Sequence, residues 1–341
     1  MRDLSLGQAV DLAIEDSMAR DETIVLIGED APMLRAPLFA RFGADRVLAA
    51  PISESAFFGV AAGAAMAGLR PVVELYMVDF IAVAFDAVLN HMAKLEGFSG
   101  GNWKAPVVIR APSGGWYGDG GQHGQSLWGS MASIPGLTVV AASTPADAYG
   151  LMTTALGHDG PVVFLEPKLL SEEWLEFLGR CGRDTVEFEV PADGTIGPVP
   201  DPPHATPFGK AVVRREGEHI TIASLAVGVH RALEAATNLD SSGVSCEVID
   251  LRSLRPLDVD TIVGSVEKTG RLLVVDEDYR DFGLAGELAA ICLEAGLAPR
   301  YARVCVEDTL PYARHLEKAA LPNVDRIVDA ATSLTRDEVA L

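Results

Sequence analysis

The chain has 341 residues, of which 49% are hydrophobic, and its 48 acidic residues outnumber its 27 basic residues to give a net charge of −21. A surface this negative repels phosphate backbones and anionic membranes, which argues against nucleic-acid binding and against membrane attachment. A chain of this length is too long for one ordinary domain, so we expect two globular domains with substantial apolar cores.

Helical and strand-like segments alternate along the first half of the chain. Ser5 and Gln8 form the signature of a capping box, and apolar residues then recur at helical spacing as far as Met18, which predicts an amphipathic helix. Thr144 and Pro145 predict the start of another helix. Short, continuously apolar runs predict strands at 23–27, 71–76, 106–111, 137–142 and 161–165. Such strands between helices indicate an α/β fold whose mostly parallel sheet is flanked by helices on both faces.

A stretch rich in proline and glycine interrupts this alternation. Residues 191–207 read PADGTIGPVPDPPHATP, which offers little to bury and few backbone donors, so we interpret the stretch as a domain linker. Beyond it the pattern predicts strands at 220–225, 245–251, 272–276 and 302–306 and helices near 229–239, 258–268, 283–295 and 312–320. The sequence therefore predicts a first domain at 1–190 and a second, smaller α/β domain at 208–341.

The N-terminus and the cysteines bear on the location of the protein. The first five residues lack the apolar stretch of a signal peptide, and no apolar run reaches the ~18 residues of a membrane span. The four cysteines are scattered, without a CxxC pair or a His–Cys cluster at ligand spacing. We therefore expect a cytoplasmic protein whose cysteines are reduced core residues, namely Cys181, Cys246, Cys292 and Cys305.

One acidic residue stands out in the apolar segment 51–68, PISESAFFGVAAGAAMAG. Glu54 is the only ionisable side chain there and falls at the start of the predicted helix. A first-turn acid is also favoured simply by the helix dipole, so position alone does not decide between structure and function. A helix so apolar is expected to be buried, which would place the carboxylate in a low dielectric and fit it for proton exchange. Its glycines and alanines also suit close packing against another chain.

A glycine-dense loop at 114–126 follows the predicted strand 106–111, where open α/β sheets place their ligands. Its histidine, His123, is either incidental to a flexible loop or held at the mouth of a site for proton transfer or substrate orientation. The loop contains Gly118-Asp-Gly120, which resembles the start of the diphosphate and metal motif of thiamine enzymes. The asparagine that would complete that motif roughly 25 to 30 residues later is missing. We therefore expect no metal site on this chain, and a phosphate-bearing cofactor would need help from another chain.

Charged clusters in the second half have simpler interpretations. The acids at 276–278 and the pair Glu307-Asp308 fall at predicted strand ends, where solvation explains them at least as well as cation binding. The basic residues Arg252 and Arg255, and likewise Arg314-His315, are interpreted as surface or interface charges rather than substrate clamps.

Several segments together resemble a known family. They are Ile52-Ser-Glu54, AAGAAMAGLRP at 61–71, ELYMVDF at 74–80, His123 with Gln125-Ser126, PGLTVV at 135–140, Gly150-Leu151, EVIDLRSLRPL at 247–257 and Lys268-Thr-Gly-Arg271. In order and spacing they closely resemble the β subunit of thiamine-diphosphate-dependent 2-oxo acid dehydrogenases (E1), which act on pyruvate, branched-chain 2-oxo acids or acetoin. The likeness runs over about residues 4–330, and EVIDLRSLRPLD followed by EKTGRLLVVDE makes it specific.

The resemblance implies a transketolase-like architecture, with a domain that binds the pyrimidine ring of thiamine diphosphate and a transketolase C-terminal-like domain that helps assembly. It implies that Glu54 hydrogen-bonds N1′ of the pyrimidine and helps the cofactor lose its C2 proton. It also implies that Phe80 packs against that ring and that His123 is the active-site histidine, which orients or protonates groups during acyl transfer.

The resemblance also implies partners. An E1 α subunit would complete an α2β2 heterotetramer and would hold the diphosphate and Mg²⁺. A small 2-oxo acid would be the substrate of oxidative decarboxylation, and a lipoyl group on a separate E2 chain, or a carrier protein, would accept the acyl fragment.

The sequence departs from the family around the site. The segment 31–49 is compact, Ala49-Ala-Pro51 replaces the usual Asp-Thr-Pro, and His123 is followed by Gly124 rather than serine. The identity of the substrate therefore does not follow from the resemblance. One alternative is a two-chain transketolase-like enzyme that transfers a two-carbon ketol unit to a carrier protein. Another is a non-catalytic assembly subunit, although the retention of all three site residues argues against it.

Overall fold

Two large sheets and one small sheet organise the chain, which the computed structural model describes over residues 1–180, 187–191 and 194–336. The strands are β1 (Arg2–Ser5), β2 (Ile24–Glu29), β3 (Val47–Ala50), β4 (Arg70–Glu74), β5 (Val108–Ser113), β6 (Thr138–Ala141), β7 (Val162–Pro167), β8 (Ile196–Val199), β9 (Val212–Arg215), β10 (Ile220–Ser224), β11 (Cys246–Asp250), β12 (Ser253–Arg255), β13 (Arg271–Tyr279) and β14 (Arg300–Val306).

Helices cover both large sheets. They are α1 (Leu6–Arg20), α2 (Ala31–Leu34), α3 (Ala36–Phe42), α4 (Glu54–Met66), α5 (Leu95–Phe98), α6 (Trp128–Ala132), α7 (Pro145–Gly157), α8 (Glu172–Trp174), α9 (Val227–Asp240), α10 (Val259–Thr269), α11 (Leu284–Glu294), α12 (Arg314–Ala320) and α13 (Val324–Thr335). Short 3₁₀ turns occupy Val78–Ala82, Gly120–Gln122 and Lys168–Leu170, and wider π turns occupy Ala87–Met92 and Leu175–Arg180.

The seven-stranded sheet carries the first half of the chain, in the order β12-β6-β7-β5-β4-β2-β3. Its strands from β6 to β3 pair in parallel, as predicted, and only the edge strand β12 is antiparallel. One close approach needs a glycine, because a Cβ at Gly28 in β2 would lie 2.4 Å from the carbonyl oxygen of Glu74 in β4. Because β2, β3 and β4 pair in parallel, their carboxyl ends lie at the same end of the sheet.

The five-stranded sheet carries the second half, in the order β14-β13-β10-β11-β9, and only its edge strand β9 is antiparallel. The two halves are not separate in packing. Strand β12 comes from the second half of the chain but pairs with β6 of the first sheet. One apolar core also runs continuously from Phe58 on α4 to Leu288 on α11.

The predicted helix starts are confirmed. Ser5 accepts a hydrogen bond from the backbone N–H of Gln8, whose side chain in turn accepts one from the backbone N–H of Ser5, so the capping box is complete. Thr144 caps α7, with Pro145 in its first turn.

The predicted linker is more ordered than its composition indicates. Within 191–207, strand β8 pairs antiparallel with β1, with Asp3 opposite Pro198. Two-stranded pairing needs few buried side chains, and an edge strand tolerates proline, so the composition did not reveal it. Asp193 and Ala192, within this stretch, lie outside the described residues.

The cysteine prediction is confirmed where it can be compared. Cys246, Cys292 and Cys305 are buried and unpaired, and burial raises the pKa of the Cys305 thiol to about 12. Cys181 lies outside the described residues. Within the described ranges, no helix has the length and apolar character needed to cross a membrane.

The compact segment 31–49 places a buried arginine against the end of β4 in the first sheet. Arg35, between α2 and α3, is fully buried and forms a 2.6 Å ion pair with Glu74 and a second ion pair with Glu173. Arg110 on β5 lies in the same cluster and pairs with Glu166 at 2.7 Å. These buried charges fix the segment that leads from β2 to β3.

Candidate active site

Glu54 lies at the first turn of α4, beside the carboxyl ends of β2 and β3. Glu54 is only 9% exposed, and among the described residues its side chain makes no hydrogen bond and no ion pair. Glu29 at the end of β2 is paired in register with Ala50 of β3, and its pKa is raised by burial and further by the negative charges of Asp30 and Glu54. Glu29 was not singled out from the sequence, because only the fold brings it near Glu54.

Within this chain the expected burial of α4 is confirmed for Glu54 and for one face of the helix. One face packs on the sheet and buries Phe57, Phe58 and Ala61. The opposite face, which no part of the described chain covers, exposes Val60 to 59% and Met66 to 51%. A helix on the outside of a sheet has only one sheet to pack against, so its second apolar face stays open.

The structure brings the start of α4 next to the turn that carries Phe80. The hydroxyl of Ser55 donates a 2.7 Å hydrogen bond to the carbonyl oxygen of Val83, directly after the 3₁₀ turn Val78–Ala82. The half-buried ring of Phe80 then meets the imidazole of His123 edge-on, at 5.8 Å between centroids and 83° between planes. The three residues singled out from the sequence thus lie on neighbouring segments.

Two charged residues that the sequence argument missed lie beneath the His123 loop. Lys168, fully buried after β7, donates a hydrogen bond from its ammonium group to the carbonyl oxygen of His123. Asp79, the residue before Phe80, accepts a 2.8 Å hydrogen bond from the side-chain amide of Gln125. Burial lowers the pKa of Lys168 and raises the pKa of Asp79, and the attraction between the two opposes both shifts.

Carboxylates from the second half of the chain fasten the loop at its first end. The backbone N–H of Trp116 and that of Gly118 donate to the two oxygens of Glu317 on α12, at 3.0 and 2.7 Å. The indole N–H of Trp116 donates to Glu277 at the end of β13.

The other end of the loop is fastened in the same way. The indole N–H of Trp128 donates a 2.8 Å hydrogen bond to Asp276, and the backbone N–H of Gly129 donates a 2.8 Å hydrogen bond to Asp278. The acids at 276–278 are therefore not solvated, and that interpretation was wrong. The indole and backbone N–H groups that bind these acids lie far away along the chain, so the sequence around 276–278 does not indicate their burial. Glu307 and Asp308, by contrast, are exposed as expected.

Burial changes the acidity of this cluster. It raises the pKa of Asp276 to about 7, with the charge of Asp278 as a further cause, and it raises the pKa of Glu277 to about 7. These groups therefore titrate near neutral pH, far above their usual range.

Arg252 also differs from its expected surface position. It is buried and donates a 2.7 Å hydrogen bond to Asp147 on α7, with further bonds to the carbonyl oxygen of Lys210. The buried carboxylate comes from a helix more than a hundred residues earlier, so the sequence around Arg252 did not show it. Arg314 and His315 are exposed, as expected.

The glycines of Gly118-Asp-Gly120 serve packing. A Cβ at Gly118 would lie 2.9 Å from the side chain of Arg314, and one at Gly120 would lie 2.7 Å from the ring of Tyr312. Among the residues that the structure describes, no group of three or more His, Cys, Asp or Glu side chains is arranged to hold a metal ion.

Comparison with known proteins matches both halves of the chain. Residues 2–172 match the transketolase pyrimidine-binding domain and residues 209–327 match the transketolase C-terminal domain. Among solved structures, a split-gene transketolase, described as an inactive β4 tetramer, superposes with a TM-score of 0.75 at 22% identity and covers 98% of this chain and 99% of its own. The fold and the two matched domains thus define a transketolase-like α/β protein.

The relatives are more specific. The chain is 35% identical to the mitochondrial pyruvate dehydrogenase E1 β subunit of Dictyostelium discoideum, over 98% of this chain and 92% of the relative. It is 36% identical to the 2-oxoisovalerate dehydrogenase β subunit of Bacillus subtilis, over 97% and 98%. It is 37% identical to the β subunit of acetoin:2,6-dichlorophenolindophenol oxidoreductase of Cupriavidus necator, over 97% of each. The chain belongs to the family of E1 β subunits of 2-oxo acid dehydrogenases.

Proposed function

We propose that this chain, together with an E1 α chain, binds thiamine diphosphate and catalyses the oxidative decarboxylation of a small 2-oxo acid, with acyl transfer to a lipoyl group on E2. The observation that carries the proposal is Glu54. It is a buried carboxylate at a helix start, without a partner among the described residues, beside the turn of Phe80.

These residues fit an aminopyrimidine ring. The Glu54 carboxylate can share a proton with a ring nitrogen in a low dielectric, and the half-buried ring of Phe80 offers an aromatic surface. When bound, thiamine diphosphate supplies a carbon nucleophile that adds to the 2-oxo group and takes up the electrons released as CO₂ leaves. Glu54 would hold the proton at N1′, and His123 would orient or protonate groups during acyl transfer.

The α partner would hold the diphosphate and Mg²⁺, and the assembly would be α2β2. The open face of α4 supports a partner there, because it borders a groove of about 370 Å³ lined by Gly59, Gly63, Met66 and Trp103. Phe98 beside it is 63% exposed, which adds to an apolar patch of the kind that marks protein interfaces.

Within this proposal residues 1–190 form the pyrimidine-binding domain and residues 208–341 the C-terminal domain, joined by 191–207. A cytoplasmic location is part of the proposal and is supported by the unpaired buried cysteines.

The test is to co-express the chain with an E1 α chain of the same organism and to titrate the purified complex with thiamine diphosphate and Mg²⁺ by calorimetry. We expect saturable binding to the complex and none to the β chain alone. Absence of binding to a correctly assembled complex would instead indicate a non-catalytic assembly subunit. Turnover with pyruvate, 2-oxoisovalerate and acetoin, with lipoamide or dichlorophenolindophenol as the acceptor, then identifies the substrate class.

A further inference from the structure

A line of hydrogen bonds joins the second half of the chain to the His123 loop. The hydroxyl of Tyr279, the last residue of β13, donates to Oε1 of Gln125 at 3.0 Å. The side-chain and backbone N–H groups of Gln125 both donate to Oδ1 of Asp79, at 2.8 and 3.3 Å. Gln125 is two residues after His123, and Asp79 is one residue before Phe80. These hydrogen bonds therefore join the two segments that carry the rings of His123 and Phe80.

The orientation of the His123 imidazole depends on the backbone of the loop that carries it. The ring is partly exposed, and within the described part of the chain it makes no hydrogen bond of its own. Its contact is the edge-on packing with Phe80. Lys168 donates a hydrogen bond to the carbonyl oxygen of His123, and Gln125 joins the same loop to Asp79, so two contacts fix the backbone next to the ring.

The acceptor of this line is buried, so water cannot easily replace Gln125. Asp79 lies in the interior, and its second oxygen, Oδ2, has no hydrogen-bond partner among the described residues. A buried carboxylate without a hydrogen-bond donor is strongly destabilised, because nothing offsets its loss of hydration. This cost keeps Gln125 bonded to Asp79.

We infer that Tyr279 is a positioning residue, which acts through Gln125 and Asp79 to hold His123 against Phe80 in the orientation needed for acyl transfer. The inference rests on the proposed role of His123. It gives the C-terminal half a part in the chemistry besides assembly.

The first experiment compares Tyr279→Phe with Tyr301→Phe in the complex with the α chain. Tyr301 is a matched control, because its hydroxyl lies in the same half and donates a 2.7 Å hydrogen bond to the carbonyl oxygen of Ala285 rather than to a residue of the loop. We expect Tyr279→Phe to lower kcat for acyl transfer to lipoamide about 3- to 10-fold, the value of one lost hydrogen bond. The KM for the 2-oxo acid and the rate of C2 proton exchange on the cofactor should stay unchanged, and so should every rate of Tyr301→Phe.

A readout independent of activity is amide hydrogen exchange of residues 120–129. It should accelerate in Tyr279→Phe and not in Tyr301→Phe. The acceptor end of the line gives a rescue test. Asp79→Asn keeps an acceptor oxygen and should retain acyl transfer, whereas Asp79→Ala should lose it to the same extent as Tyr279→Phe or more.

The second experiment is a double-mutant cycle. If Tyr279 acts through His123, Tyr279→Phe should slow acyl transfer no further in the His123→Ala background. Additive losses in the double variant, or unchanged acyl transfer and loop exchange in Tyr279→Phe, would overturn the inference while leaving the proposed function intact. A His123→Ala complex with unchanged acyl transfer would overturn the proposed role of His123 itself.

Discussion

The indole N–H of Trp128 donates a 2.8 Å hydrogen bond to Oδ1 of Asp276, and both side chains are buried where the C-terminal half of the chain meets the His123 loop. The second oxygen of Asp276 has no partner among the described residues. The loop is thus anchored on a carboxyl group that burial keeps protonated up to neutral pH, since its pKa is about 7.

This acidity predicts the direction of the pH dependence of stability. The folded chain retains a proton on Asp276, and another on Glu277, that the unfolded chain has released above pH ~4. The resulting stability is present at low pH and is lost as pH rises from about 4 to about 7. Asp276→Asn, which keeps an acceptor for Trp128 and stays neutral, should raise the Tm at pH 8 by about 3 °C or more and raise it less at pH 5. Thermal unfolding at both values, with the exposed Asp329→Asn as the control, checks this. An equal shift at pH 5 and pH 8 would refute it.

Glu54→Gln should abolish C2 proton exchange on bound thiamine diphosphate and lower turnover at least ~100-fold, since the amide cannot share the carboxylate's proton. Assembly with the α chain should be preserved, because Glu54 makes no hydrogen bond or ion pair within the described chain. NMR of the C2 proton measures the exchange directly. The control is Asp260→Asn, which alters an exposed first-turn acid on α10 and should change neither rate. Full exchange in Glu54→Gln would show that the acid serves only the helix dipole.

The open face of α4 predicts a selective loss of assembly. A Cβ built at Gly63 meets no described atom within 4 Å, so Gly63→Leu should fold normally and should block docking of the α chain. The matched control is Gly264→Leu, at an exposed position in α10 with equally open surroundings. Analytical ultracentrifugation of the co-expressed chains should show a heterotetramer for Gly264→Leu and separate chains for Gly63→Leu. A heterotetramer in both would place the interface elsewhere.

The buried ion cluster predicts a large cost for removing one partner. Arg35→Met leaves Glu74 without its 2.6 Å partner in the core and should destabilise the chain by about 3–5 kcal/mol. Arg41→Met breaks the exposed pair with Glu15 and should cost no more than ~1 kcal/mol. Urea unfolding of both variants gives the comparison. Adding Glu74→Gln to Arg35→Met should recover part of the loss, and a further loss instead would contradict the argument.

The alternation of helices and strands could be predicted because local patterns determine it. The box at Ser5 and Gln8, the start at Thr144 and the apolar runs of the parallel strands are all local features. Strands β1, β3, β8, β9 and β12 were not predicted. For β8 and β12 the reason is that their pairing depends on partners far along the chain, and neither run is apolar enough to be recognised by itself.

The same distinction between local patterns and distant partners applies to the site. Glu54, Phe80 and His123 could be singled out from composition and from the resemblance to a family. The supports of the loop could not, because Lys168, Asp276 and Glu317 are ordinary charged residues until the fold buries them. One signal was present, since Trp116 within the glycine-dense loop and Trp128 just after it each need a hydrogen-bond acceptor when buried.

Strand β12 has a consequence for the synthesis of the chain. Val140 on β6 pairs with Ser253, so the edge of the first sheet stays open on the ribosome until the chain has been made as far as Arg255. At ~5–20 residues per second, that interval lasts several seconds after β6 emerges. An unpaired strand edge is a template for association with other chains, which makes this interval the one in which a chaperone would protect the nascent protein. The interval ends when β12 pairs with β6 and becomes the edge strand in its place.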